Sequence, residues 1–212
     1  MKKWITLTAL LMAGTLFSET TPVMLSLVTP VQAPSSEYDV TGFRLSLLYG
    51  DCHDFTGLDI GVVSRTAEDF TGLGIGGVNI AGGKLYGGQV GLINWSADKK
   101  TGWADISTGL QLGALNYAEA FCGLQDGLVN ISGTSFTGLQ SGLVNYTEEL
   151  RGAQCGDWLI VGINVASGPV YGCQIGLINY AKFMERGVQI GLININPNNG
   201  WLPVLPILNG HF

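Results

Sequence analysis

Charge is scarce in this chain, and positive charge scarcer still. Lys and Arg number 10 against 16 Asp and Glu, and only 12% of the 212 residues are charged. Phosphate backbones are gripped by clusters of basic side chains, so nucleic acid is excluded as a partner. Only two His are present, so a His-based triad would have to recruit a loop or terminal residue. Neither Ser nor Cys stands in a Gly-x-Ser-x-Gly or Gly-x-Cys-x-Gly elbow, which leaves nucleophilic catalysis without support. No apolar run long enough for a membrane helix follows residue 34, and no helical period appears there. Disorder is excluded as well, because 46% of residues are hydrophobic.

The N-terminus reads as an export leader. Lys2 and Lys3 precede the apolar run "WITLTALLMAGTLF", and "VQA" at 31–33 is a small-x-small cleavage site. Residues 1–33 are therefore expected to be a signal peptide and 34–212 a single domain. Removing Lys2, Lys3 and Glu19 leaves 8 basic against 15 acidic residues. Cys52, Cys122, Cys155 and Cys173 match no zinc spacing. In an exported chain they are compatible with disulfides or with buried free thiols, and Cys155 and Cys173 fall in adjacent repeat units.

What is abundant is glycine, 32 residues of it, and it is periodic. "GLQDGLVNI" at 123–131, "GLQSGLVNY" at 138–146, "GCQIGLINY" at 172–180 and "GVQIGLINI" at 187–195 are copies of one unit. Taking the first Gly of each copy as offset 0, units start at 42, 57, 72, 87, 109, 123, 138, 152, 172 and 187. About ten strand-turn units near 15 residues long define an all-β repeat domain. Offsets 1, 3 and 5 are mostly aliphatic, whereas offsets 0, 2 and 4 are Gly, polar and Gly. Alternation with period two is the mark of a strand with two unlike faces. The polar face carries Arg44, Asp59, Gln89, Gln111, Gln125, Gln140, Gln154, Gln174 and Gln189. The repeat Asn is found at Asn79, Asn94, Asn116, Asn130, Asn145, Asn164, Asn179 and Asn194. After offset 5 the alternation changes phase, which predicts a twist or bulge there.

Two architectures fit. In an outer-membrane β-barrel each unit is one strand, the Leu-Ile face meets lipid, and the Gly-Gln-Gly face fills a polar lumen in which Gly leaves room. The segment 102–107 and the terminal "LPVLPILNGHF", ending on Phe212, bring the strand count to about twelve. In a β-solenoid each unit is one coil, and parallel stacking sets Gln on Gln and Asn on Asn. The solenoid accounts better for the identity of the repeated residues, but a 15-residue coil closes only with a corner inside the motif. The barrel is favoured by a narrow margin. In either case Arg44 and Asp59, on neighbouring strands, are placed to pair.

The "GxQxGLxN" repeat, with "TGFRLSLLYG" before it and "LPVLPILNGHF" after it, resembles a family of bacterial surface-repeat proteins over about residues 40–212. A looser similarity, through Gln-x-Gly-x-x-Asn at 111–116, 140–145 and 174–179, is to the curlin repeats of secreted fibres. The resemblance implies a surface location and no particular reaction.

Other motifs weigh less. "GLGIGG" at 72–77 has the dinucleotide spacing but no helix follows it, so no cofactor is expected. "NWS" at 94, "NIS" at 130 and "NYT" at 145 match the glycosylation sequon but use the repeat's own Asn. Asp51, Cys52, His53 and Asp54 have metal-binding side chains, yet four adjacent loop residues seldom converge on one ion, so no metal is expected. The function expected is that of a non-enzymatic, exported outer-membrane or cell-surface protein in contact with lipid, with a structural or narrow-passage role. The alternative is an exposed solenoid whose flat amide-bearing face binds a glycan or another surface.

Overall fold

A computed structural model describes residues 19–97, 106–157, 161–198 and 202–211. The chain is an all-β solenoid of about 11 turns. Ten strands follow in chain order: β1 (Thr20–Val28), β2 (Val31–Ala33), β3 (Asp39–Cys52), β4 (Phe55–Thr66) and β5 (Phe70–Ala81). They continue as β6 (Leu85–Ser96), β7 (Ser107–Gly156), β8 (Ile163–Ile175), β9 (Ile178–Ile195) and β10 (Val204–His211). β7 winds through more than three units without interruption.

The narrowly favoured barrel is corrected here. The strands lie in one line, β10-β9-β8-β7-β6-β5-β4-β3-β1-β2. From β1/β3 to β8/β9 every neighbouring pair is parallel, whereas a meander barrel needs antiparallel neighbours. Register is unit on unit: Gly57 faces Gly72, Gly72 faces Gly87, Gln89 faces Gln111 and Asn94 faces Asn116. A coil closes within 15 residues because a corner does lie inside the motif. In β4, Phe55, Asp59, Ser64 and Thr66 are buried while Val62 is exposed. The phase change expected near offset 5 is that corner.

Glycine at offset 0 answers to the coil spacing, not to a roomy lumen. Gly123 has φ +145, and a Cβ on it would sit 2.0 Å from the carbonyl oxygen of Gly109. Only glycine permits both the backbone angle and that approach. At offset 4 the contact recurs: a Cβ on Gly127 would meet the Gly113 carbonyl oxygen at 1.8 Å.

Residues before 34 also join the sheet. β1 pairs in parallel with β3, Met24 facing Arg44, and Met24 is fully buried. Residues 20–33 thus form the first turn of the stack, with β2 folded back antiparallel on β1. At the other end β10 closes the stack antiparallel to β9. The apolar leader segment up to residue 18, the inserted residues 101–105 and Phe212 lie outside the described residues. Ser107, at the end of the supposed 102–107 strand, opens β7.

Candidate functional site

The interior is where the repeated polar residues go. Gln89, Gln111, Gln125, Gln140, Gln154, Gln174 and Gln189 are buried, as are Asn79, Asn94, Asn116, Asn130, Asn145, Asn164, Asn179 and Asn194. Among the described residues the repeat's Gln and Asn therefore form no outer face. Each Gln Nε2 from Gln111 onward donates to the Oε1 of the Gln one coil nearer the N-terminus, at 2.7 to 3.0 Å. Asn209 of β10 donates to Gln189 Oε1 at 3.2 Å and closes that column. The Asn column runs the opposite way: each Asn Nδ2 donates to the Oδ1 of the next coil's Asn, at 2.8 or 2.9 Å. The two columns of amide dipoles therefore oppose each other.

A second N–H bond from most of these amides ties the coil together. Gln111 Nε2 also reaches the Tyr117 carbonyl at 3.2 Å, and Gln174 Nε2 the Tyr180 carbonyl at 3.1 Å, joining the two sides of a coil across its interior. Asn94 Nδ2 reaches the Leu112 carbonyl at 2.8 Å and Asn179 Nδ2 the Ile190 carbonyl at 2.9 Å. Those carbonyls belong to offset 3, two residues before the corner. An amide supplies donors and an acceptor on one flat group, so it can repeat in register and satisfy itself from coil to coil.

The ladders begin where the repeat diverges. Arg44 and Asp59 occupy the Gln position of the first two units and are fully buried. They form a fork: Arg44 Nε to Asp59 Oδ1 at 2.9 Å and Nη2 to Oδ2 at 2.8 Å. Arg44 Nη1 donates to the Arg65 carbonyl at 2.8 Å, and its guanidinium lies 4.8 Å from the centre of the Phe55 ring. Burial works against the Arg44 charge, but the hydrogen bonds and charge of Asp59 outweigh it and the pKa is raised. Gly74 then interrupts the column before Gln89, and Asn79 Oδ1 has no partner because Ser64 stands where the preceding Asn would be.

The four-residue cluster 51–54 is taken apart by the alternation of β3. Cys52 turns inward, 2.8 Å from Arg44 Nη1, and burial pushes its thiol up to about 11 despite the Arg44 charge. It is a neutral, inert thiol. Asp51 turns outward to Arg65, at 2.9 Å. His53 and Asp54 meet a residue absent from the sequence argument, Asp39: His53 Nδ1 lies 3.1 Å from Asp39 Oδ1 and 3.5 Å from Asp54 Oδ2. These three have the spacing of a metal-binding group. They are also rungs of a turn: the Asp54 N–H donates to Asp39 at 3.2 Å, the Asp69 N–H to Asp54 at 2.8 Å, and the Lys84 N–H to Asp69 at 2.8 Å. The 15-residue spacing of 39, 54, 69 and 84 is the signal that could have revealed this row.

The four cysteines are free thiols, and only Cys52 is buried. Cys155 and Cys173 lie on adjacent coils, two residues out of line, since Cys173 faces Ala153 and Cys155 faces Ile175. Asn94, Asn130 and Asn145, the three sequon residues, are buried ladder rungs. Gly72–Gly77 of the dinucleotide-like motif lies within β5 and runs on into strand.

Gln and Asn lie inside beside a buried column that includes Phe55, Phe70, Leu85, Phe121, Phe136 and Leu150, and the aliphatic residues of the repeat motif face outward. Val62 is 53% exposed, Leu92 68%, Leu128 52% and Leu192 63%. Stacking covers the flatter rows only in part, leaving Leu58 and Leu73 each 38% exposed. No family model matches the chain, and neither a curated protein nor a solved structure matches it.

Proposed function

We propose that this chain is a non-enzymatic structural protein, exported to a bacterial outer membrane or cell surface and held there by contact with lipid. One observation carries the reading: the repeat buries its amides beside a column of Phe, Leu and Val, yet leaves whole rows of Leu, Ile and Val exposed on the outside. Monomers in water do not keep extended rows of exposed Leu, Ile and Val without a partner for them. The amides are spent on one another, so they favour a structural role over a passage for solutes.

Fractionation of cells expressing the full chain tests this. Recovery with the outer membrane, resistant to a high-salt wash and released by mild detergent, is the expected result. Recovery as a soluble, shed protein would overturn it.

A second reading, a surface module for glycan, rests on Trp95 and Tyr117. Their rings stack with centroids 4.0 Å apart on the outside of adjacent coils, a platform suited to a sugar face. Saturable binding of a polysaccharide that is lost in Trp95→Ala would favour it.

A further inference from the structure

We propose that the solenoid enters one leaflet of a lipid membrane edgewise, its glycine-leucine corner in the hydrocarbon and its turn edge in water. This rests on the lipid-contact reading above and adds an orientation to it. The outer surface is graded by row. The corner row includes Val62, Leu92, Leu128, Leu143, Leu177 and Leu192, each at least 39% exposed. Aliphatic rows flank it on both sides, with Ile60 and Ile75 on one and Ile93 and Ile193 on the other. Three residues beyond the corner comes a row that opens on Arg65 and Ile80 and in which Trp95, Tyr117, Tyr146 and Tyr180 are interspersed with Ile131, Val165 and Ile195. Past that, the turns carry the charge, as in Glu68–Asp69, Lys84, Glu148–Glu149 and Lys182.

That order is the order of a membrane interface: hydrocarbon, then Trp and Tyr at headgroup level, then charge in water. Three strand residues span roughly 10 Å, a depth typical of proteins lying in one leaflet and short of half the ~30 Å hydrocarbon core. Two apolar faces meeting at a convex edge also suit a fluid solvent better than a rigid partner, which would cover one face and leave the other bare. The formal net charge of −6 assigns the attraction to apolar burial and not to anionic headgroups.

The backbone supports the same placement. Lipid tolerates no unpaired N–H or C=O. Each coil pairs with the next along the stack, and carbonyls two residues before the corner are met from inside by the Asn column. Asn164 Nδ2 donates to the Ile175 carbonyl at 3.0 Å, and Asn130 Nδ2 to the Ser141 carbonyl at 2.7 Å. Asp126 and Asp157 are the carboxylates on the apolar rows among the described residues. Burial raises the Asp157 pKa and the charge of Asp126 raises it further, a direction that favours the neutral form.

The test is flotation of the purified full chain with phosphatidylcholine vesicles. The pair Leu128→Asp and Leu143→Asp places charge on the corner, and Thr134→Asp places it on the turn edge. All three sites are exposed, and far-UV circular dichroism checks that each variant keeps its strands. The wild type and the turn variant are expected to float, and the corner variant to lose about a hundredfold in partitioning. Bromine near the headgroup end of the lipid chains should quench a component of the emission that Trp95→Phe removes. Equal flotation of corner and turn variants, or quenching unaffected by Trp95→Phe, would overturn the orientation while leaving lipid contact intact. A wild type that does not float overturns both.

Discussion

The amide of Gln140 sits between those of Gln125 and Gln154, donating to Gln125 Oε1 at 2.8 Å and accepting from Gln154 Nε2 at 2.8 Å. All three side chains are fully buried. Removing the middle rung strips one neighbour of a donor and the other of an acceptor and leaves a void. Gln140→Ala is therefore expected to cost about 3 kcal/mol, read from the denaturant midpoint.

Gln140→Glu gives the same column a pH dependence. The ionised carboxylate only accepts, so Gln125 loses its donor and a charge is buried without a cation. Both effects raise the folded-state pKa above the unfolded value of about 4.3. The variant is then most stable below that value and weakens as pH rises through the folded pKa, the reverse of a paired carboxylate. A denaturation series from pH 4 to 8 showing stability constant or rising with pH would refute this.

Arg44 and Asp59 are a fully buried pair, so losing one partner strands the other's charge. Arg44→Gln or Asp59→Gln alone is expected to cost about 3–5 kcal/mol. The double variant restores two amides to the Gln position and should cost clearly less than either single change. A double-mutant cycle by thermal denaturation measures the difference.

Glycine tolerance should depend on which atom a new Cβ meets. Gly127→Ala brings it to 1.8 Å from a backbone carbonyl oxygen, while Gly74→Ala brings it to 3.2 Å from the tip of the Phe70 ring. Equilibrium unfolding should find Gly127→Ala severely destabilised and Gly74→Ala within about 1 kcal/mol of wild type.

The first coil caps the stack. A chain starting at Pro34 lacks β1 and β2, bares the edge of β3 and uncovers Arg44 where Met24 now lies. Exposed parallel edges recruit other strands. Light scattering of the 34–212 chain in detergent should show concentration-dependent association that the chain from residue 19 does not show.

Much of this architecture was legible in the chain. The recurrence of Gly-x-Gln-x-Gly-Leu-x-Asn defined the unit, its length and the equivalence of Gln125 with Gln140. Period-two alternation made the protein all-β, and the phase change after offset 5 marked the corner. The pairing of Arg44 with Asp59 followed from their shared offset. Asp39 escaped notice because its contact with His53 crosses from one coil to the next at a turn, where side-chain alternation gives no guidance. Residues 20–33 escaped because their sequence departs from the repeat, and only the parallel pairing of β1 with β3 reveals them as a coil.

The sequence by itself determined that there are two faces, one aliphatic and one of glycine and amide, repeated in register. It did not determine which face is inside, because alternation is symmetric under exchange of the two. Ordinary burial preference would put Leu and Ile within. The tertiary structure decided otherwise for a physical reason: coils stack so closely that Gly must meet Gly, and the amides satisfy one another rung after rung in the interior, beside a column of Phe, Leu and Val. The aliphatic rows are left on the outside.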